Sequence, residues 1–142
     1  MSLKDRIRKK AAEVISVDKP IPICKGVWTT GQLGTSIKEQ SLVINIESGL
    51  VVIAGCAHPG IVNVVKKAKD MLENEIYLAL GGFHLMSYSE GEVKEIIRQL
   101  MKLGVKKVGP SHCTGERPIE LFRQAWGEDF VNLGCGTKIN IP

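Results

Sequence analysis

Val51-Val52-Ile53-Ala54-Gly55-Cys56-Ala57-His58 is a short apolar, β-rich run that ends in glycine and then histidine. The same design recurs as Ile76-Tyr77-Leu78-Ala79-Leu80-Gly81-Gly82-Phe83-His84 and as Val105-Lys106-Lys107-Val108-Gly109-Pro110-Ser111-His112-Cys113. A helical pattern follows each run, and these are the chain's 3 histidines. Strands alternating with helices predict βα units and parallel pairing. Such sheets bind ligands in the crevice beyond the carboxyl ends of their strands. With the three strands as neighbours, His58, His84 and His112 all reach that edge. Neutral imidazole is a common metal ligand, and three converging imidazoles make a candidate transition-metal site. A single histidine at a strand end carries no such information. Three in one structural context favour a shared role over three unrelated polar residues.

Working outward, Leu42, Ile44 and Ile46 alternate with Val43, Asn45 and Glu47, a half-buried strand. Ser48-Gly49 turns it into the first histidine strand, so a hairpin places antiparallel pairing at this edge. The fold class is therefore α/β with a mixed sheet. Pro59-Gly60 opens a helix to about Leu72, with Ile61, Val65, Ala68 and Leu72 on one face. Ser89 and Glu92 match a capping box for a helix ending near Leu103, with Gly104 as its terminator. Pro118 suits the first turn of a third helix, which Gly127 ends. Residues 4–15 are expected to be helical, with Ile7, Ala11, Val14 and Ile15 on one face. Gly26 to Thr30 is β-like and Gly34 to Gln40 a polar loop. Phe130 to Leu133 and Lys138 to Ile141 are expected to form two short closing strands.

The 142 residues, 44% hydrophobic, suffice for one domain with its own core, residues 1–142. Met1-Ser2-Leu3 is set aside as a candidate vector-derived leader. The longest apolar run, Leu50 to Ala54, is far too short for a membrane span, and no secretory signal is expected. A cytoplasmic setting follows. The net charge of +4 comes mainly from Lys4, Arg6, Arg8, Lys9 and Lys10, better read as a solvated helix face than as a nucleic-acid surface. Few aromatics argue against base stacking. The 4 cysteines form no C-x-x-C pair, so no zinc knuckle is expected. Cys56 and Cys113 flank His58 and His112 in sequence, as ligands or as groups behind the ligands. Cys24 and Cys135 are expected to be buried free thiols.

Three motifs now stand in order: Gly55-Cys56-Ala57-His58-Pro59-Gly60-Ile61-Val62-Asn63, Gly81-Gly82-Phe83-His84-Leu85 and Ser111-His112-Cys113-Thr114-Gly115. They resemble the C-terminal half of the metallo-β-lactamase fold, in the branch of proteins related to dihydropterin-ribofuranosylaminobenzene phosphate synthase. Val27-Trp28-Thr29-Thr30-Gly31, Glu39-Gln40-Ser41-Leu42-Val43-Ile44 and Gly134-Cys135-Gly136 fit the same branch. The resemblance covers about residues 5–141. It implies half of an αββα sandwich with a site for divalent metal, zinc first, manganese or iron as alternatives. It implies His58 and His112 as metal ligands. His84 binds metal or contacts substrate, and Cys56 is a secondary ligand candidate. His84 and His112 are also candidate catalytic groups, able to donate to an oxyanion. Ser111 and Thr114 either stand behind the site or cap the following helix.

One departure is large. The family's H-x-H-x-D-H loop supplies most metal ligands, and a chain with 3 widely spaced histidines has none. The expectation is a metal-dependent hydrolase half acting on a phosphoester or related small molecule. A separate N-terminal-half chain or a homo-oligomer would complete it. Two alternatives stand beside it: a non-catalytic binding or regulatory subunit, and a transferase of the pterin/aminobenzene-phosphate type. No membrane and no nucleic-acid partner are expected.

Overall fold

The computed structural model describes residues 3–10 and 13–142. Six strands form one sheet in simple sequence order: β1 (Ile21–Cys24), β2 (Val27–Thr29), β3 (Leu42–Ile46), β4 (Gly49–Ala54), β5 (Ile76–Gly82) and β6 (Lys107–Ser111). β1 to β4 pair antiparallel, and β5 and β6 then add parallel to β4. The switch follows connection length. Glu47-Ser48, between the paired Ile46 and Gly49 and one residue earlier than the expected Ser48-Gly49, closes the β3–β4 hairpin in a tight turn, whereas β4 to β5 and β5 to β6 are each joined through a helix, as parallel neighbours require. Four helices accompany the sheet: α1 (Leu3–Arg8), α2 (Ile61–Leu72), α3 (Glu90–Lys102) and α4 (Glu116–Trp126).

The predicted capping box of α3 is present. The Glu92 N–H donates to Ser89 Oγ, and the Ser89 N–H donates to Glu92 Oε2 at 2.8 Å. Two of the orphan donors of the first turn are thereby satisfied. Gly104, at φ 80°, terminates the helix in a conformation that costs other residues more. Pro118 lies in the first turn of α4.

One face of the sheet meets the helices. Val43, Leu50, Val52, Ala79 and Val108 pack with Ile61, Val65 and Ala68 of α2, Val93, Ile97 and Leu100 of α3, and Leu121, Phe122 and Trp126 of α4. Phe83 stands edge-on to Phe122 at 5.4 Å, and Phe122 stacks on Trp126 at 5.5 Å, which fixes the floor beneath the end of β5. The opposite face is also apolar: Val51, Tyr77 and Leu78 are buried, and Ile44, Ile46, Ile53 and Leu80 are partly buried. A sheet apolar on both sides is one built to be covered on both sides. That is why β4 reads as a continuous apolar run rather than an alternating one.

The two ends of the chain depart from expectation. The N-terminal helix stops at Arg8, and Ala11 lies outside the described residues. Ile7 is 45% and Ile15 66% exposed, so the apolar stripe finds no surface to bury against and sustains no longer helix. The two closing strands do not form. Phe130 makes a single parallel bridge to Val108, and the Val131 N–H donates to Val108 O at 2.7 Å. Phe130 packs toward the helix side while Val131 and Ile139 pack on the opposite face, so the tail wraps the β6 edge. β6 begins at Lys107 rather than Val105 and runs on to Ser111. Among the described residues no helix is long and apolar enough to cross a membrane.

Candidate metal centre

Register is what brings the histidines together. Ala54 pairs with Gly81, Gly81 with Pro110, and Gly82 with Ser111, so β4, β5 and β6 end level. The Gly82 N–H donates to Gly55 O at 2.9 Å and extends the ladder one step. Just past that line come Cys56 and His58, then His84, then His112 and Cys113. All of the sequence's site candidates therefore lie at one sheet edge, where loops after parallel strands commonly hold ligands.

His58 is oriented by Glu39. Its Nδ1 lies 2.6 Å from Glu39 Oε1, and its backbone N–H donates to Glu39 Oε2 at 2.9 Å. An ionised carboxylate has no proton to give, so Nδ1 carries the hydrogen and the free lone pair is on Nε2. The rings of His58 and His84 are 4.3 Å apart between centroids and tilted by 50°. His84 Nδ1 is buried without a hydrogen-bond partner. On the other side Cys56 Sγ lies 3.2 Å from His112 Nε2. The Cys113 thiol points at Cys56 O, 3.8 Å away. Donor atoms of Cys56, His112 and Cys113 all lie within 4.8 Å of one another, as do those of Glu39, Cys56 and His58. Cys56 is thus the hinge between two groups of donors. The neighbouring Cys113 thiol, then burial, then the charges nearby raise the Cys56 pKa above its ordinary value, so without a cation the thiol keeps its proton.

The backbone here is unusual. Of the described non-glycine residues, Ala57, His84, His112 and Glu73 have positive φ. Glu73 only ends α2, whereas the other three sit at the ends of β4, β5 and β6. Such conformations persist where the surroundings over-determine them, and they concentrate at functional sites. Gly82 supplies part of that constraint. A Cβ there would run into His112 Cε1 and lie 2.5 Å from Gly55 O and 2.7 Å from Cys113 Sγ.

Thr114 is fully buried: its hydroxyl donates to Ser111 O at 2.7 Å and accepts from the Phe83 N–H at 3.0 Å. It ties the β5 and β6 ends together, and no side-chain cap is made at the start of α4. Cys24 and Cys135 are free but exposed rather than buried as expected, because the β1 edge and the C-terminal tail that carry them are not covered. The residue that sequence reasoning missed is Glu39, which lay in an unpatterned polar loop. Its only sequence signal was membership in the Glu39-to-Ile44 segment that fits the family branch. Two clefts flank His58. One of about 180 Å³ is lined by His58, Asn63, His84 and Tyr88, and another of about 350 Å³ by Leu33, Ile37, His58 and Asn63.

No family model matches the chain. A Methanocaldococcus jannaschii protein named 7,8-dihydropterin-6-methyl-4-(β-D-ribofuranosyl)-aminobenzene-5′-phosphate synthase is 32% identical over 165 aligned residues, covering 97% of this chain and 56% of that protein. A second, uncharacterized protein of the same organism is 36% identical over 91 residues, 64% of this chain and 34% of its own length. The chain therefore spans about half, or less, of the curated relatives it matches. Among solved structures, Tm1679, a metal-dependent hydrolase of the β-lactamase superfamily, superposes with a TM-score of 0.86 at 26% identity, covering 97% of this chain and 62% of that one. Motifs and these likenesses agree, and the chain has the fold of the metallo-β-lactamase superfamily.

Proposed function

We propose that this chain carries one side of a divalent-metal hydrolase site for phosphoester or related small-molecule substrates. The observation that supports it is the meeting of His58, His84, Cys56 and His112 at the level ends of three parallel strands. The donor set fits a cation. The buried Nδ1 of His84 has no partner, and a buried polar atom without one calls for an explanation such as an unseen ion. Cys56 Sγ and His112 Nε2 face each other at 3.2 Å, and neutral imidazole and thiolate suit zinc best, with iron and manganese behind. His58 and His84 would hold the ion on one side, His112 and Cys56 on the other. When bound, such ions supply Lewis acidity and activate water near neutral pH.

This chain's own residues do the positioning. Glu39 keeps His58 in the tautomer with a free Nε2. His84 and His112 can donate to charge developing on a substrate oxygen. The clefts on either side of His58 give a small molecule access to it. With no H-x-H-x-D-H loop in the sequence, the remaining ligands come from another stretch of polypeptide. The partly buried Ile44, Ile46, Ile53 and Leu80 offer it an apolar face to pack on.

The similarity to a synthase favours one second reading, transfer rather than hydrolysis on a phosphate-bearing substrate. A chimera tests the first. The chain is joined to the part of that synthase that the match does not cover and offered a chromogenic phosphodiester with zinc, manganese or iron. Metal-dependent hydrolysis that His58→Ala removes is expected. A folded, metal-loaded chimera that does not hydrolyse it rules the hydrolase reading out. In that chimera, where the His58 side is complete, Glu39→Ala is expected to weaken metal binding on that side about 10–100-fold, the usual cost of losing the group behind a ligand histidine. Isothermal titration with zinc measures it, and unchanged affinity would make Glu39 a loop anchor only.

A further inference from the structure

We infer that Cys56, His112 and Cys113 form a thiophilic cation subsite, two thiolates and one imidazole, which this chain holds by itself. Cys113 is the new ligand. It lies on the turn that follows β6, and Cys56 lies past the end of β4, so two strand ends bring the sulfurs together. The three donor atoms lie within 4.8 Å of one another, and the Cys56–His112 contact of 3.2 Å would widen only slightly to the roughly 3.5 Å that a tetrahedral ion sets between a sulfur and a nitrogen ligand. The alternative grouping of Cys56 with Glu39 and His58 is weaker. Both Glu39 oxygens accept from His58, one from Nδ1 and one from the backbone N–H, so drawing Glu39 onto an ion would loosen its hold on His58. Cys56 is therefore free to serve the His112 side.

The subsite is built rather than adventitious. His112 holds φ at 24°, and the only reason it can sit so close is that residue 82 has no side chain. Sulfur donors set the ligand class. Two soft thiolates with imidazole select zinc, cadmium or cobalt over magnesium and manganese, which prefer oxygen. Binding releases the two thiol protons to solvent. The inference rests on the reading above only in taking His112 and Cys56 as ligands; it requires neither hydrolysis nor a second polypeptide.

The test uses the full chain, reduced, with Cys24→Ser and Cys135→Ser in the background so that the exposed thiols contribute nothing. Titration with cobalt(II) is expected to saturate at one ion per chain and to show sulfur-to-cobalt charge-transfer absorption. Cys56→Ser and Cys113→Ser should each remove about half of that absorption, and zinc but not magnesium should displace the cobalt. Cadmium NMR of the parent chain reads the number of bound sulfurs directly and needs no site variant, should a serine substitution unfold the chain. A cobalt complex without charge-transfer absorption, an undiminished band in Cys113→Ser, or a cadmium shift showing one sulfur or none overturns the proposal. The band with an inactive chimera would leave this subsite standing and sink the hydrolase reading. An active chimera whose cobalt form lacks the band does the reverse.

Discussion

Alanine at His112 is expected to leave the chain without retained zinc, while alanine at His58 is expected to leave that zinc in place and to remove hydrolysis from the completed domain. The asymmetry follows from where the two rings sit. His112 Nε2 faces the Cys56 sulfur at 3.2 Å, so its loss takes away a ligand of the ion this chain holds alone. His58 belongs to the other group, with Glu39 behind it and His84 beside it, and that side needs ligands the sequence does not contain. Losing a direct ligand costs more than the roughly 10–100-fold that follows loss of a group behind one. The same difference shows in stability. Zinc at about 100 times its Kd adds about 2.7 kcal/mol, or roughly 5–10 °C in Tm for a chain of this size. That shift should be present in the parent and in His58→Ala, and absent in His112→Ala. Elemental analysis with paired melts, with and without zinc, reads both quantities. Zinc retained equally by His112→Ala would put the ion elsewhere.

The three histidine strands were legible because each is a local pattern. A β-branched run, a glycine and a histidine lie within nine or so residues, and the helix after each forces the strands to be parallel. Ser89 and Glu92 were legible for the same reason, since a capping box spans three residues of sequence. Glu39 was not. It acts on a residue 19 positions away, from a loop whose cross-links at Leu33–Glu39 and Thr30–Ser41 exist only once the chain has folded, and before folding it is one charge among many on a polar segment. The pairing of Cys56 with Cys113 depends on the Gly82–Ser111 register, and a slip of one residue would turn every side chain to the other face. The N-terminal helix failed in the opposite direction. Ile7, Val14 and Ile15 are spaced for a helix, but a stripe needs a partner surface, and Ile7 and Ile15 remain exposed. At the C-terminus Val131 and Ile139 lie in the two runs expected to be closing strands, yet they cover the sheet's second face instead of joining its edge.

Gly82→Ala is expected to dismantle the centre without touching a single ligand. No unusual backbone angle is at stake, for Gly82 is not among the glycines with positive φ, and alanine suits a strand there. Space is the whole effect. The new methyl group would meet His112 Cε1, the Gly55 carbonyl oxygen at 2.5 Å and Cys113 Sγ at 2.7 Å. The carbonyl is backbone and is already held by the Gly82 N–H at 2.9 Å, so it cannot retreat without opening the β4–β5 ladder. The two side chains therefore have to move, and both belong to the proposed subsite. Overpacking of this kind costs about 1–3 kcal/mol. The loss of function is larger, because a displacement of about 1 Å at a reacting centre is worth on the order of 10²-fold in rate. Gly55→Ala is the matched control: nothing lies within 4 Å of its Cβ, and its effect should stay within about 0.5 kcal/mol. The expected pattern is a lowered melting temperature and no cobalt charge-transfer band for Gly82→Ala, with both preserved in Gly55→Ala. Full metal binding and an unchanged melt in Gly82→Ala would mean that His112 and Cys113 have room the structure does not give them, and that the close approach of β4, β5 and β6 is not what holds the site.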